Sequence, residues 1–131
     1  MEQKILIVKR YDPEMVREKP DYLFIFGDNL FGRGKGGQAI IRDEPNAYGI
    51  PTKKRPDYNP ESFMTDEELE ENKQHIMKAI DNMPISQYEA IVFPEDGLGT
   101  GLARLPELAP KTFEFLVNIL NEKFNNVYEG M

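Results

Sequence analysis

Apolar runs recur along the chain at two different spacings. Residues 4–9 (KILIVK) form a short apolar run suited to a first strand, and residues 10–20 are polar with prolines at 13 and 20. The second stretch therefore predicts a loop with at most one helical turn around residues 14–18. Five consecutive apolar residues, 22–26 (YLFIF), predict a buried strand that stops at Gly27-Asp28-Asn29. Four glycines follow at Gly32, Gly34, Gly36 and Gly37, after which Gln38-Ala39-Ile40-Ile41 reads as a short helix. Asp43-Glu44-Pro45-Asn46 ends it, because the residue before a proline is pushed out of the α region.

Residues 47–53 (AYGIPTK) predict a short extended segment, an edge strand given Pro51. Residues 55–63, with Pro56 and Pro60, predict a surface loop. Thr65-Asp66-Glu67-Glu68 has the spacing of a capping box. Leu69, Ile76, Ala79, Ile80 and Met83 then recur at helical spacing, which predicts an amphipathic helix of about 18 residues ended by Pro84. A strand is predicted over 88–93 (YEAIVF), followed by a second glycine-rich loop over 94–105 (PEDGLGTGLARL). Leu108, Phe113, Leu116, Ile119, Leu120 and Phe124 mark a second long helix, and residues 125–128 a last short strand. Strands alternating with helices predict an α/β domain spanning 1–131, with both glycine loops at strand ends, where ligands bind in open α/β sheets.

Composition narrows the chemistry. The chain has no cysteine and one histidine, His75, so a thiolate nucleophile, a disulfide framework and a histidine-rich metal site are all excluded as expectations. No metal or cofactor is called for. The absence of a long apolar stretch and of a signal-peptide pattern predicts a cytoplasmic protein without membrane contact. A net charge of −7 argues against a surface for duplex nucleic acid. The cations nevertheless gather locally: Arg33, Lys35 and Arg42 lie in and after the first glycine loop, and Lys53-Lys54-Arg55 follow the third strand. A small anion in a basic cleft fits that layout.

A strand that runs through a glycine-rich loop into a helix brings backbone N–H groups to one spot. The standard phosphate motifs do not fit. Gly32-x-Gly34-x-x-Gly37 matches a dinucleotide fingerprint only formally, because Pro45, Gly49 and Pro51 cut short the helix that must follow. A Walker A loop needs Ser or Thr after its lysine, and Lys35 is followed by Gly36. Two loops poor in side chains would let amides approach a diphosphate closely.

Taken together, FGDNLFGRGKGGQAI, GIPTKKRPDYNPESF and IVFPEDGLGTGLARLPEL resemble macrodomains, and most of all the class that removes terminal ADP-ribose from protein or nucleic-acid sites. The resemblance runs over roughly residues 22–124. It implies a three-layer fold with a central mixed sheet and helices on both faces. Its partner would be an ADP-ribose-type small molecule or an ADP-ribosylated macromolecule. Gly32, Gly34, Gly36, Gly37 and Gln38 would wrap the distal ribose. Gly97, Leu98, Gly99, Thr100 and Gly101 would hold the diphosphate, with Leu102 and Arg104 as further ligand contacts beside them and Thr52 next to the reactive lysine. The acid that takes the adenine amino group falls nearest to Asp12.

That class attacks the anomeric carbon with the lysine of a Thr-Lys pair, here Thr52-Lys53, and completes turnover with an aspartate whose position is Ala103 in this chain. A methyl group transfers no proton. Asp96 or Glu95 would have to substitute, with Asp28 or Asn29 positioning water; otherwise the site is a non-catalytic binding module for ADP-ribose or a related NAD-derived nucleotide. An unrelated nucleotide-phosphate protein is a third reading, since fold does not fix function. The plainer readings are a solvated surface Lys53, Asp28 and Asn29 as turn residues, and Arg104 paired with a helix acid. His75 reads as a partly exposed surface residue, Phe113, Phe115 and Phe124 as core, and residues 66–71 as a solvated helix start.

Overall fold

The computed structural model describes residues 3–130. Four strands form one parallel sheet: β1 (Lys4–Val8), β2 (Tyr22–Asn29), β3 (Ala47–Lys53) and β4 (Ala90–Pro94), in the order β1-β4-β2-β3. The expected mixed sheet is thereby corrected. Every connection among these strands crosses over the sheet instead of turning back as a hairpin, so all pairings are parallel.

The two central strands are buried on both faces, which is why they read as continuous apolar runs. Leu23 and Ile25 of β2, with Ile91 and Phe93 of β4, pack in one core with α2 (Leu69–Asp81) and α4 (Pro110–Lys123). Phe24 and Phe26, with Val92, pack on the other face against Val16 of α1 (Pro13–Arg17) and against Ala39 and Ile41 of a 3-10 turn, Gly37–Ile41. Connections that step one way across the sheet, through α1 and the 3-10 turn, lie on one face. The connection that steps back, through α2, lies on the other. A constant crossover hand requires that arrangement.

Other boundaries differ from the sequence pattern for identifiable reasons. β2 runs on through Asn29 because Gly27 and Asp28 pair with Ile50 and Pro51. The segment after the first glycine loop is a 3-10 turn and not an α-helix. The 65–68 capping box does not form: Thr65 makes no side-chain cap and Asp66–Glu68 is a 3-10 turn. Asp66 instead caps α4, accepting from the N–H groups of Lys111 at 2.9 Å and Thr112 at 3.0 Å and from the Thr112 hydroxyl at 3.0 Å. Residues 125–128 form turns in place of the expected strand, because Asn125 and Asn126 both hold positive φ. The edge position of β3 tolerates Pro51 as expected.

Candidate functional site

The site begins where β2 and β4 part. Their pairing covers Tyr22↔Ala90 to Phe24↔Val92 and stops, although β2 continues to Asn29 and β4 to Pro94. The Tyr11 hydroxyl sits in the split, 2.7 Å from the Ile25 carbonyl and 3.0 Å from the Val92 carbonyl. Further out, Gln38 spans the gap. Its Oε1 accepts from the Gly27 N–H at 3.0 Å and its Nε2 donates to the Gly97 carbonyl at 2.8 Å, so one side chain ties the two glycine loops together.

Above this floor, three depressions adjoin along the carboxyl ends of the strands. The central one, about 330 Å³, is lined by Gly27, Gly36, Gln38, Thr52, Gly99 and Gly101, among others. An inner one of about 80 Å³ shares Gly27, Thr52, Leu102 and Ala103 with it and adds Asp28, Asn29, Lys53 and Tyr58. An outer one of about 310 Å³ shares Gly37, Gln38 and Asp96 with the central cleft and adds Lys9, Arg10, Tyr11 and Ile40. The result is one long groove.

The loops that form its walls spend few of their amides internally. The N–H groups of residues 98–103 donate to no acceptor among the described residues, and the same holds for Gly36, Gly37 and Gln38 across the groove. Leu98 is 1% exposed, yet its amide has no acceptor among the described residues. Buried backbone donors are almost always satisfied, so this geometry leaves room for an acceptor from outside the chain. Glycine is required at the closest approach: a Cβ on Gly99, whose φ is +78°, would lie 2.9 Å from Thr52 Cβ and 3.0 Å from Leu105 Cβ. A Cβ on Gly36 would lie 2.9 Å from Leu102 Cδ1.

A register shift between β2 and β3 places the polar end of the groove. Asp28 pairs with Pro51 but Asn29 with Lys53, so Thr52 is the extra residue of a bulge. Thr52 and Lys53 are consequently both buried, against the strand alternation. Lys53 is 7% exposed, so it is not the solvated surface lysine of the plainer reading. Its Nζ donates to the Asp57 carbonyl and lies 4.2 Å from the Tyr58 ring centroid and 4.8 Å from that of Phe63. Desolvation pulls its pKa below the ordinary lysine value, opposed in part by the Asp57 charge.

Asp28 and Asn29 hold the loop's shape. The Asp28 carboxylate takes both Nη atoms of Arg42, at 2.5 and 3.1 Å, and Arg42 Nε donates to the Gly34 carbonyl at 2.7 Å. Asn29 donates to the Arg33 carbonyl at 2.6 Å and accepts from the Phe31 N–H at 2.9 Å. Gly32 and Gly34 supply positive-φ positions in this loop, although Gly32 lines none of the three clefts.

One family model, described as a family of unknown function (DUF7831), matches residues 6–119. The chain belongs to that family. The matched segment contains both glycine loops, the bulge and Lys53. No curated protein and no solved structure matches the chain.

The remaining sequence-derived candidates divide. Asp96, Thr100, Gly101, Leu102 and Ala103 line the groove. The Asp96 side chain makes no hydrogen bond or ion pair among the described residues, while its carbonyl accepts from the Thr100 hydroxyl at 2.8 Å. Leu98 points into the core, and Gly97 acts through its carbonyl. Asp12 is turned away: its carboxylate accepts from the Met15 N–H at 2.8 Å and caps α1, and it lines none of the three adjoining clefts. Arg104 pairs with Glu107 of α3 (Leu105–Leu108) and also lines none. Tyr11, Tyr58 and Phe63 escaped sequence reasoning, since nothing local distinguishes a site aromatic from a core or loop one. Among the described residues, no group of three or more His, Cys, Asp or Glu side chains could hold a metal, and no helix is long and apolar enough to cross a membrane.

Proposed function

We propose that this chain binds an ADP-ribose-type nucleotide along the groove, with the diphosphate between the two glycine loops and the distal pentose towards Lys53. The observation that carries this reading is the pair of facing loops whose amides lack acceptors. A diphosphate supplies several acceptor oxygens, and hydrogen bonds to a charged group contribute about 1.5–3 kcal/mol each. The groove has the length for more than a mononucleotide, since the central cleft continues at both ends. The macrodomain resemblance points to the same ligand and the same assignment of loops.

A second reading adds turnover, and the state of Lys53 favours it. A buried amine with a depressed pKa is a better nucleophile at moderate pH than a solvated one. Its lone pair would form a bond to the anomeric carbon as the carbon–acceptor bond breaks and the acceptor leaves with the electron pair; water would then displace the amine. The methyl group of Ala103, which lines both inner clefts, stands where the resembling class carries its proton-transfer carboxylate. Binding is therefore the primary function proposed, and turnover its extension.

Calorimetric titration with ADP-ribose, with ADP as control, tests the reading. One-to-one binding of ADP-ribose that ADP does not match supports the pentose site. Equal affinities, or no binding of either, would sink it.

A further inference from the structure

The outer end of the groove holds a pair of cations that the proposed diphosphate does not use. Four cations around the carboxyl ends of the strands are paired within the fold, Lys35 with Asp43, Arg42 with Asp28, Lys54 with Glu68 and Arg104 with Glu107, while Arg33 and Lys53 line the inner cleft at the other end of the groove. Lys9 and Arg10 have no ion-pair partner among the described residues, and both line the outer cleft of about 310 Å³. The carboxylate nearest in sequence, Asp12, is committed to the Met15 N–H and does not line this cleft. In a chain of net charge −7, two adjacent unpaired cations in a concave site are a local reversal of the field.

Position within the cleft separates the roles of its charged groups. Asp96 lines both the central and the outer cleft, so it stands at their junction, where a carboxylate can accept from a ribose hydroxyl. Lys9 and Arg10 line the outer cleft alone and stand beyond that junction. Ile40, 44% exposed, gives the same cleft an apolar wall against which a base could lie. The Tyr11 hydroxyl is consumed between β2 and β4, which leaves the two cations as the ionic donors of this end.

Building on the proposed nucleotide site, we infer that Lys9 and Arg10 form a subsite for an additional phosphate on the nucleoside half of the ligand, separate from the diphosphate. The phosphate is a monoester on the ribose or the diester that joins it to a further nucleotide. Both present the same anionic oxygens to an ammonium and a guanidinium.

The test compares ADP-ribose with ADP-ribose 2′-phosphate by calorimetry, in the intact chain and in the Lys9→Gln/Arg10→Gln double variant. Both residues are exposed, so the variant should fold, and its melting temperature checks this. The expected result is about tenfold tighter binding of the phosphorylated ligand to the intact chain, lost in the double variant, with ADP-ribose affinity itself changing less than about threefold. A dinucleotide diester bearing the same diphosphate separates the sources: a gain for the monoester alone assigns a phosphorylated small molecule, and a gain for the diester assigns a strand. Equal binding of phosphorylated and plain ligands, or a gain that survives the double variant, overturns the subsite while leaving the nucleotide reading intact. If neither ligand binds at all, the nucleotide reading itself has failed.

Discussion

Gln38 donates its side-chain N–H to the Gly97 carbonyl at 2.8 Å, across the gap left where β2 and β4 stop pairing. The same amide accepts from Gly27 at 3.0 Å, so a single residue of the first loop fixes the distance to the second. Gln38→Ala should therefore cost about 1–2 kcal/mol of stability, since it leaves a partly buried donor and acceptor unpaired. It should weaken nucleotide binding at least tenfold. A denaturant titration and a calorimetric titration of the same variant separate the two effects, and wild-type affinity would show that the loops hold their spacing without it.

Tyr11 closes the inner part of the same split. Tyr11→Phe keeps the ring against Phe24, 5.8 Å between centroids, and removes only the hydroxyl between the Ile25 and Val92 carbonyls. The expected loss is about 1–2 kcal/mol in chemical denaturation. A neutral result would mean that water reaches those carbonyls.

Leu102 reaches across the groove to Gly36, so a side chain at position 36 would fill the space between the two loops. A β-branched residue at position 36 would meet Leu102 Cδ1, 2.9 Å from an added Cβ, as well as the Tyr58 hydroxyl at 3.8 Å. Gly36→Val should abolish nucleotide binding while the melting temperature moves little, because residue 36 lies outside both cores. Ligand binding of normal strength in that variant would remove the central cleft from the site.

Lys53 sets a pH dependence of defined sign. Its folded pKa lies below its unfolded one, so between the two values the unfolded chain holds more protons and stability rises with pH. Any release of ADP-ribose that uses the free amine should rise with pH, with a midpoint below the ordinary lysine value, and vanish in Lys53→Ala. Ala103→Asp is the converse experiment and should raise turnover. A pH-independent rate, or one unchanged in Lys53→Ala, excludes the lysine from chemistry.

Asp66 acts on the acid side. Burial raises its pKa, but the N–H groups of Lys111 and Thr112 and the Thr112 hydroxyl outweigh that and leave it lowered. Its stabilisation is thus full above the unfolded carboxylate pKa and is lost as pH falls through the folded value. Asp66→Ala should cost about 1 kcal/mol at neutral pH, as an N-cap does, and should flatten the acid limb of a stability–pH curve. A curve parallel to that of the intact chain would assign the acid sensitivity elsewhere.

The apolar runs at residues 22–26 and 88–93 identified the central strands because both of their faces are buried, and burial leaves its mark in local composition. The glycine loops were legible for a similar reason: backbone close approach excludes Cβ atoms, so the need shows in residue type. The end of β2 was not legible, because Gly27, Asp28 and Asn29 look like a turn and become strand only when β3 supplies their partners. The 65–68 segment misled in the same way. Its acid caps a helix some 45 residues away in sequence, a relation that no local spacing encodes. Lys53 shows the limit at the site. Its type and its place after Thr52 were visible, but its burial depends on a bulge and on the rings of Tyr58 and Phe63.

By itself, then, the sequence determined an α/β domain with two side-chain-poor loops at strand ends, since periodicity and glycine placement are local properties. The tertiary structure alone decided that all the strands run parallel, that β2 and β4 splay to open a groove, that Gln38 and Tyr11 hold that split, and which charges remain unpaired along it. Those features depend on pairing and ion-pair choices between residues far apart in the chain, where many alternatives share one local pattern and only the packed fold selects among them.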